Sequence, residues 1–332
     1  MKSRPGTLKL ALKRGALVTA ANWQVVLVQF VADTLFKTLL AVPIVGGVVL
    51  VVLLIGGDPK DLLRLELAQV IPTMVGVLLA QPLALTAFLG ALVLVLIGGS
   101  LLTIAVKAGT VTVLIAGERA AGVIERPPLR MAALTAANQS TLDRFVGGVR
   151  YLFARYVWLG AGLSLMYAVL TGGYLAALFA PSSAVSLDSR LAVTVASLVL
   201  IVLVTLLNFC YLLSQIVVAT EDCTVYEAIS LVGRLLRRRP IELTQALGTM
   251  LALMALVTAA SILAMAALGL IAFVPFVGLA ALPLQLLAWL IRGVVFQFVG
   301  LTGLVTYVRL YRTAEVEAPA LGAHTAHIQE IP

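Results

Sequence analysis

The chain has few charged residues, and this shortage excludes an ordinary soluble globular protein. Only 11% of its 332 residues are charged, whereas 61% are hydrophobic and the mean hydropathy is +1.10. Soluble domains carry about 25% charged residues, so lipid must be the main solvent of this chain. The composition therefore indicates an integral membrane protein.

Cysteine and histidine are equally scarce. The two cysteines, Cys210 and Cys223, lie on one predicted helix. At a rise of 1.5 Å per residue they are about 20 Å apart, which is too far for a disulfide. Both histidines, His324 and His327, lie in the polar C-terminal tail, outside every predicted span. We therefore expect no disulfide, no metal site and no cofactor.

Sequence signatures of intramembrane enzymes are also missing. The chain has no His-Glu-x-x-His helix, no Gly-x-Gly-Asp aspartyl pair and no phosphate-binding loop of the Walker type. No predicted span holds a histidine that would activate a serine. The sequence therefore predicts a protein that is not an enzyme.

Long runs without charge are abundant, and they predict membrane-spanning helices. Residues 67–106, 156–187, 191–220 and 243–291 contain no charged side chain. Each run exceeds the roughly 20 residues that a helix needs to cross the hydrocarbon. Barrel strands alternate polar and apolar residues with period two, and these blocks of Leu, Ala and Val do not. We expect an all-α, polytopic membrane protein.

Proline, glycine and charge divide these runs into six predicted spans within one domain over residues 1–312. The spans cover residues 34–56, 85–107, 154–179, 192–218, 245–272 and 285–308. The apolar pattern extends the first helix back to residue 22 and the second on to residue 117. Residues 58–82 are interpreted as a surface-lying or re-entrant segment outside, and residues 313–332 as a disordered tail.

Basic residues predict that both termini lie in the cytoplasm. Seventeen Lys and Arg residues flank the spans on the side of the N-terminus, and three (Lys60, Arg64 and Arg190) on the opposite side. Basic loops are retained on the cytoplasmic side of a membrane. The sequence therefore predicts a multi-pass protein of the bacterial inner membrane with both ends inside.

A basic amphipathic segment precedes a span three times, starting near residues 7, 129 and 225. This pattern predicts three helical hairpins, each entered through an elbow helix in the inner interface. Arginine and lysine side chains of the elbows would face anionic headgroups or a partner. The candidate residues are Lys9, Lys13, Arg14, Arg144, Arg150, Arg234, Arg237, Arg238 and Arg239.

The third elbow and its span, EAISLVGRLLRRRPIELTQALGTMLAL, resemble those of a known group. These are uncharacterised six-helix bacterial proteins grouped near the membrane domain of glycerophosphodiester phosphodiesterases. The resemblance implies a membrane module. It does not imply phosphodiesterase activity, which in that group belongs to a separate soluble barrel domain.

Charged and polar residues inside the predicted spans are candidates for function, because they are costly there. Asp33, Lys37 and Lys107 fall at similar depth in the first hairpin. They form either a proton or ligand site or a structural pair near the interface. Arg292, with Gln297 in the same span, falls near mid-membrane. It either binds an anion such as a lipid phosphate in a polar cavity, or bonds to backbone carbonyls, water or Asn208.

The sequence leaves two classes of function open. We expect a non-enzymatic module that engages anionic lipid or a membrane protein partner, which includes a second copy of the chain, and no nucleic acid. The alternative is the permease subunit of an ABC-type or other transporter. Glu227, Ala228 and Gly233 fit the start of the coupling loop of such permeases, although Ile229 departs from that pattern.

Overall fold

A computed structural model describes residues 5–55, 76, 79–125, 131–179, 187–272 and 277–328. These residues form helices joined by short connections, with no strand among them. The helices are α1 (Pro5–Ala21), α2 (Trp23–Ile55), α3 (Pro82–Ala120), α4 (Met131–Ala137), α5 (Leu142–Phe179), α6 (Leu187–Glu221), α7 (Val225–Arg238), α8 (Pro240–Ala272) and α9 (Val277–Ile328).

The prediction of six long apolar helices is confirmed. Within the described residues, α2, α3, α5, α6, α8 and α9 are long and apolar enough to cross a membrane. The helices α2 and α3 extend beyond the hydrocarbon length as predicted, because α2 begins at Trp23 and α3 ends at Ala120. Most of the predicted segment 58–82 lies outside the described residues.

The sequence predicts one domain, but the structure divides the chain into two compact units. Unit 1 comprises Met1–Leu27 and Lys107–Pro332, and unit 2 comprises Val28–Val106. The described part of unit 2 holds most of α2 and most of α3, which run antiparallel. Its close contacts pair Gly47 with the Phe88 ring and Gly99 with the Phe36 ring, because a small residue lets a neighbouring helix approach.

Unit 1 has its packed core at one end of its helices. Buried side chains fall within residues 108–118 of α3, 152–159 of α5, 209–218 of α6 and 301–311 of α9. The remaining lengths of α5, α6, α8 and α9 expose large apolar side chains such as Leu165, Leu198 and Leu263. That exposure suits contact with lipid, since lipid tails are as apolar as leucine.

Helices α5 and α6, and helices α1 and α9, are among the pairs in unit 1 that make close contacts. Helices α5 and α6 run antiparallel, because Tyr156 donates a hydrogen bond to the Gln215 carbonyl at 2.8 Å and Tyr167 donates one to Asn208 Oδ1 at 2.7 Å. Helix α1 packs against α9 through Gly15, where an added Cβ would lie 2.7 Å from the Thr302 carbonyl oxygen. Such a close approach requires glycine.

The last helix extends into the segment that the sequence predicts to be a disordered tail. In the structure α9 continues past residue 312 to Ile328. Residues 313–323 include four alanines and two glutamates, although Pro319 lies among them. Alanine and glutamate have high intrinsic helix propensity, which gives a local reason for the extension.

Candidate functional site

The described part of unit 1 contains a buried network of arginine and glutamate side chains at its packed end. Its centre is Glu118, which lies near the C-terminal end of α3 and is only 1% exposed. Glu118 Oε1 accepts a hydrogen bond from Arg14 Nε at 3.1 Å, and Oε2 accepts one from Arg312 Nη1 at 2.6 Å. One carboxylate thus joins α1, α3 and α9.

Arg14 closes the C-terminal end of α3. Its Nη2 donates to the Glu118 carbonyl at 2.8 Å, and its Nη1 donates to the Gly122 carbonyl and to Glu125 Oε2, the latter at 2.8 Å. Gly122 has a φ of +55°, a left-handed conformation that glycine adopts readily after a helix end. A cation at this position also stabilises the negative end of the α3 dipole.

The position of Arg14 differs from the prediction. The sequence predicts that Arg14 faces anionic headgroups from an elbow, but this residue is only 5% exposed. The reason is that α1 packs directly on α9, which turns the Arg14 side chain toward Glu118. Its guanidinium therefore forms hydrogen bonds inside the protein and does not face headgroups.

Arg309 and Arg312 form the exposed edge of the network. Their side chains are 39% and 30% exposed, whereas that of Glu118 is 1% exposed. Arg309 Nη1 lies 3.8 Å from Glu118 Oε1, which is an ion-pair distance but longer than a hydrogen bond. The two arginines are three residues apart on α9 and so share one face.

Glu125 is the second acidic member and lies in the connection after α3. Burial opposes its charge, but its backbone hydrogen bond and the Arg14 guanidinium outweigh burial and lower the pKa of this carboxyl. Glu125 is therefore ionised at neutral pH. The network then holds three guanidiniums, from Arg14, Arg309 and Arg312, against two carboxylates.

Asn22 joins the start of α2 to the end of α4. This side chain is fully buried, and its Nδ2 donates to the carbonyls of Val18 at 2.9 Å and Ala137 at 2.8 Å. Its Oδ1 accepts a hydrogen bond from the Gln139 backbone N–H at 2.8 Å. Every one of these bonds lies inside unit 1, so Asn22 fixes the position of α4 beside α1.

Replacing Asn22 with alanine should destabilise the protein by about 1–3 kcal/mol, because the backbone groups of Ala137 and Gln139 lose their partner away from solvent. Thermal unfolding in detergent micelles would measure the change. Asn138→Ala is the matched control, since Asn138 is exposed and its side chain bonds to nearby Ser140. Equal unfolding temperatures for the two variants would contradict the role given to Asn22.

Helix α7 carries most of the basic residues of the predicted third elbow. Its buried side chains are Ala228, Val232 and Leu235, which pack into unit 1. Arg234, Arg237 and Arg238 lie on the exposed side of the helix. We call these three arginines the basic face of α7.

The predicted coupling-loop residues lie at the start of the same helix. Glu227 forms a capping box with Thr224, in which the Glu227 carboxylate accepts from the Thr224 backbone N–H at 2.9 Å. That backbone hydrogen bond lowers the pKa of Glu227. Ala228 is buried and Gly233 is exposed. Glu227 therefore stabilises the start of α7, and a coupling role of this segment stays a prediction.

The other elbow candidates differ in their surroundings. Arg239 pairs with Glu242 at 3.0 Å and is partly buried. Lys9, Lys13 and Arg150 are exposed, and Arg144 is half-buried. The exposure of these side chains on α1 and α5 would permit headgroup contact, which stays a prediction.

Two of the predicted intramembrane residues pair with each other. Lys37 Nζ lies 2.6 Å from Asp33 Oδ2 within unit 2, one helical turn apart on α2. Lys107 belongs to unit 1, where its Nζ lies 5.6 Å from the centroid of the Tyr211 ring, a cation–π contact. The Asp33 carboxylate is thus held by a neighbour on its own helix.

The remaining intramembrane candidates lie on α6 and α9. Asn208 accepts the hydrogen bond from Tyr167, and its Nδ2 donates to the Val204 carbonyl at 3.0 Å. Arg292 is exposed, with its guanidinium carbon 5.5 Å from the centroid of the Phe296 ring. The polar cavity expected around Arg292 is therefore not formed by the described part of unit 1. Gln297, on the same helix, is half-buried.

Sequence reasoning missed Glu118 and Asn22. Glu118 stands beside Arg119 at the end of an apolar run, which is where exposed charges commonly end a span. Asn22 marks in the sequence only the point where the apolar pattern begins. Glu118 could have been recognised in the sequence because it is an acidic residue in a region whose other charged residues are mostly basic.

The described residues contain no group of three His, Cys, Asp or Glu side chains that could hold a metal ion. Their clustered charges instead form the arginine–glutamate network and the basic face of α7. No family model, no curated protein and no solved structure matches this chain, so the resemblance of the third elbow stays a prediction.

Proposed function

We propose that the protein is a non-enzymatic integral membrane module that engages anionic lipid through the basic face of α7. The observation that carries the proposal is the division of α7 into a buried apolar side and an exposed side with three arginines. Arg237 and Arg238 follow Arg234 by three and four residues, so the three share one face. A helix anchored in this way presents its arginines in a fixed arrangement.

Local structure supports the rigidity of α7. The capping box at Thr224 and Glu227 stabilises its first turn, and Pro240 begins α8 directly after it. Arg239 is excluded from the basic face because it is paired with Glu242. The guanidiniums of the other three arginines are exposed and unpaired with Glu242.

Anionic lipid is the partner whose chemistry fits this face. The excess of basic residues predicts that the face lies on the cytoplasmic side, where the leaflet carries negative surface potential. Each basic side chain near such a surface contributes about 1 kcal/mol, so three contribute about 3 kcal/mol. That free energy corresponds to a preference of roughly 100-fold for anionic over neutral lipid.

Native mass spectrometry of the gently extracted protein tests the proposal. A variant with Arg234, Arg237 and Arg238 all replaced by Gln should lose most of its retained anionic lipid, and a triple Lys variant should keep it. Arg239→Gln is the control for loss of one arginine outside the face. Equal lipid retention by wild type and the triple Gln variant would refute the proposal.

The same spectrum addresses the alternative of a permease subunit. A stoichiometric ATPase bound to the protein would favour that function, and Glu227→Ala should then uncouple the ATPase. The capping role of Glu227 predicts a different result, which is a small loss of helix stability without any change of partner.

A further inference from the structure

We propose that Arg309 and Arg312 bind one phosphate group at the exposed edge of the arginine–glutamate network. This site uses other residues than the basic face of α7, so it goes beyond the proposed function and can fail independently of it. The expected ligand is a phosphodiester of a lipid headgroup or a free phosphate, which share the same anionic oxygens.

The network contains more positive than negative charge. Three guanidiniums face two carboxylates, which leaves a net charge of one positive unit among these groups. An anion that reaches the exposed edge of the network is attracted by this excess positive charge. A phosphodiester carries one negative charge and would bring the network to neutrality.

The hydrogen bonds show where that anion would bind. Arg14 donates to Glu118, Gly122 and Glu125, which occupies its guanidinium on the buried side. Arg309 is too far from Glu118 Oε1 for a hydrogen bond, and its guanidinium donates none to another described residue. Its donors are therefore available to a ligand from outside.

Exposure places the site on the surface. Arg309 and Arg312 are 39% and 30% exposed, whereas Arg14 is 6% exposed in its side chain. The two planar guanidiniums on one helix face can hold phosphate oxygens with paired hydrogen bonds. Both arginines belong to the last turns of the apolar stretch Pro283–Thr313, a level that suits a lipid headgroup.

Glu118 acts as a positioning residue in this site. Its Oε2 holds Arg312 at 2.6 Å, and its Oε1 is shared by Arg14 and Arg309. Because three cations share its charge, Glu118 does not repel an incoming anion. Glu118 holds the guanidiniums of Arg309 and Arg312 near each other, so that one phosphate group can contact both.

The test titrates the purified full chain, in neutral detergent, with short-chain phosphatidylglycerol or with inorganic phosphate at constant ionic strength. Native mass spectrometry counts bound molecules, and the unfolding temperature reports binding independently. Wild type should bind one phosphatidylglycerol tightly, and Arg309→Gln should bind it roughly 10- to 100-fold more weakly. Arg119→Gln removes the same charge from an exposed neighbour of Glu118 and should bind like wild type.

The outcomes separate the two ligand sources. Competition by inorganic phosphate would assign the site to any phosphate group, and binding of phosphatidylglycerol alone would assign it to lipid. Equal affinity of Arg309→Gln and Arg119→Gln would overturn the proposal. Arg309→Lys keeps the charge and checks folding, since it should unfold like wild type without ligand but bind more weakly.

The proposed function is tested separately by the triple Gln variant of the basic face. That variant should keep the single tight phosphatidylglycerol while it loses the weaker bound lipids. Loss of the tight molecule in the triple variant, with no change in Arg309→Gln, would overturn the site at Arg309 and Arg312 and leave the basic face as the binding region.

Discussion

Replacing Glu118 with glutamine should destabilise the protein by about 3–5 kcal/mol, the range for breaking a buried ion pair by removal of one partner. The variant keeps the shape of the side chain but leaves Arg14, which is 5% exposed, without its main counterion. Because the amide has only one oxygen, either Arg14 or Arg312 also loses its hydrogen-bond acceptor and faces an NH2 group instead. Unfolding by denaturant in detergent micelles would measure the loss.

Glu242→Gln is the matched control for Glu118→Gln. Glu242 pairs with Arg239 three residues away and is 29% exposed in its side chain, so its loss should cost less than about 1 kcal/mol. A double variant, Arg14→Met with Glu118→Gln, should recover part of the stability, because it also removes the buried cation. Equal losses for Glu118→Gln and Glu242→Gln would show that burial of the network contributes nothing.

Replacing Gly15 with leucine should separate α1 from α9. A Cβ at this position would lie 2.7 Å from the Thr302 carbonyl oxygen and 2.6 Å from Thr306 Oγ1. The carbonyl belongs to the backbone of a helix and cannot rotate away, so α1 must move. Leucine favours helix more than glycine does, but overpacking costs typically about 1–3 kcal/mol, so the steric effect decides the sign.

Proteolysis provides a direct measurement for Gly15→Leu. In the wild type Arg14 is buried beside Glu118, and trypsin should cut after Lys13 or Arg14 slowly. Release of α1 should expose Arg14 and let the helix around Lys13 and Arg14 unfold locally, which should speed the cleavage. Gly147→Leu is the control, because no atom lies within 4 Å of a Cβ added there. Faster cleavage in both variants, or in neither, would contradict the close packing of α1 on α9.

The helices themselves could be predicted because their cause is local. A run of apolar residues without charge must satisfy its backbone hydrogen bonds internally in lipid, and a helix of about 20 residues does so. The start of α7 has a local cause too, since Thr224 and Glu227 stand at the spacing of a capping box. The orientation of the termini and the threefold repeat stay predictions.

Other features depend on which helices meet. In the sequence, Arg14 resembles an exposed elbow residue and Glu118 resembles a charge that ends a span. Only the packing of α1 on α9 brings Arg14 and Arg312 to the same carboxylate. The network around the buried Arg14 and Glu118 results from contacts between residues about 100 to 200 positions apart, which no local pattern records.

Hydropathy and the thickness of the hydrocarbon were sufficient to predict the helical class and the six long apolar helices from the sequence. Which charged side chains are buried and which are exposed depends on how the helices pack. Arg14 is enclosed and Arg309 is partly exposed, although both are arginines at the edge of an apolar segment. The physical reason is that burial depends on the neighbours that packing supplies.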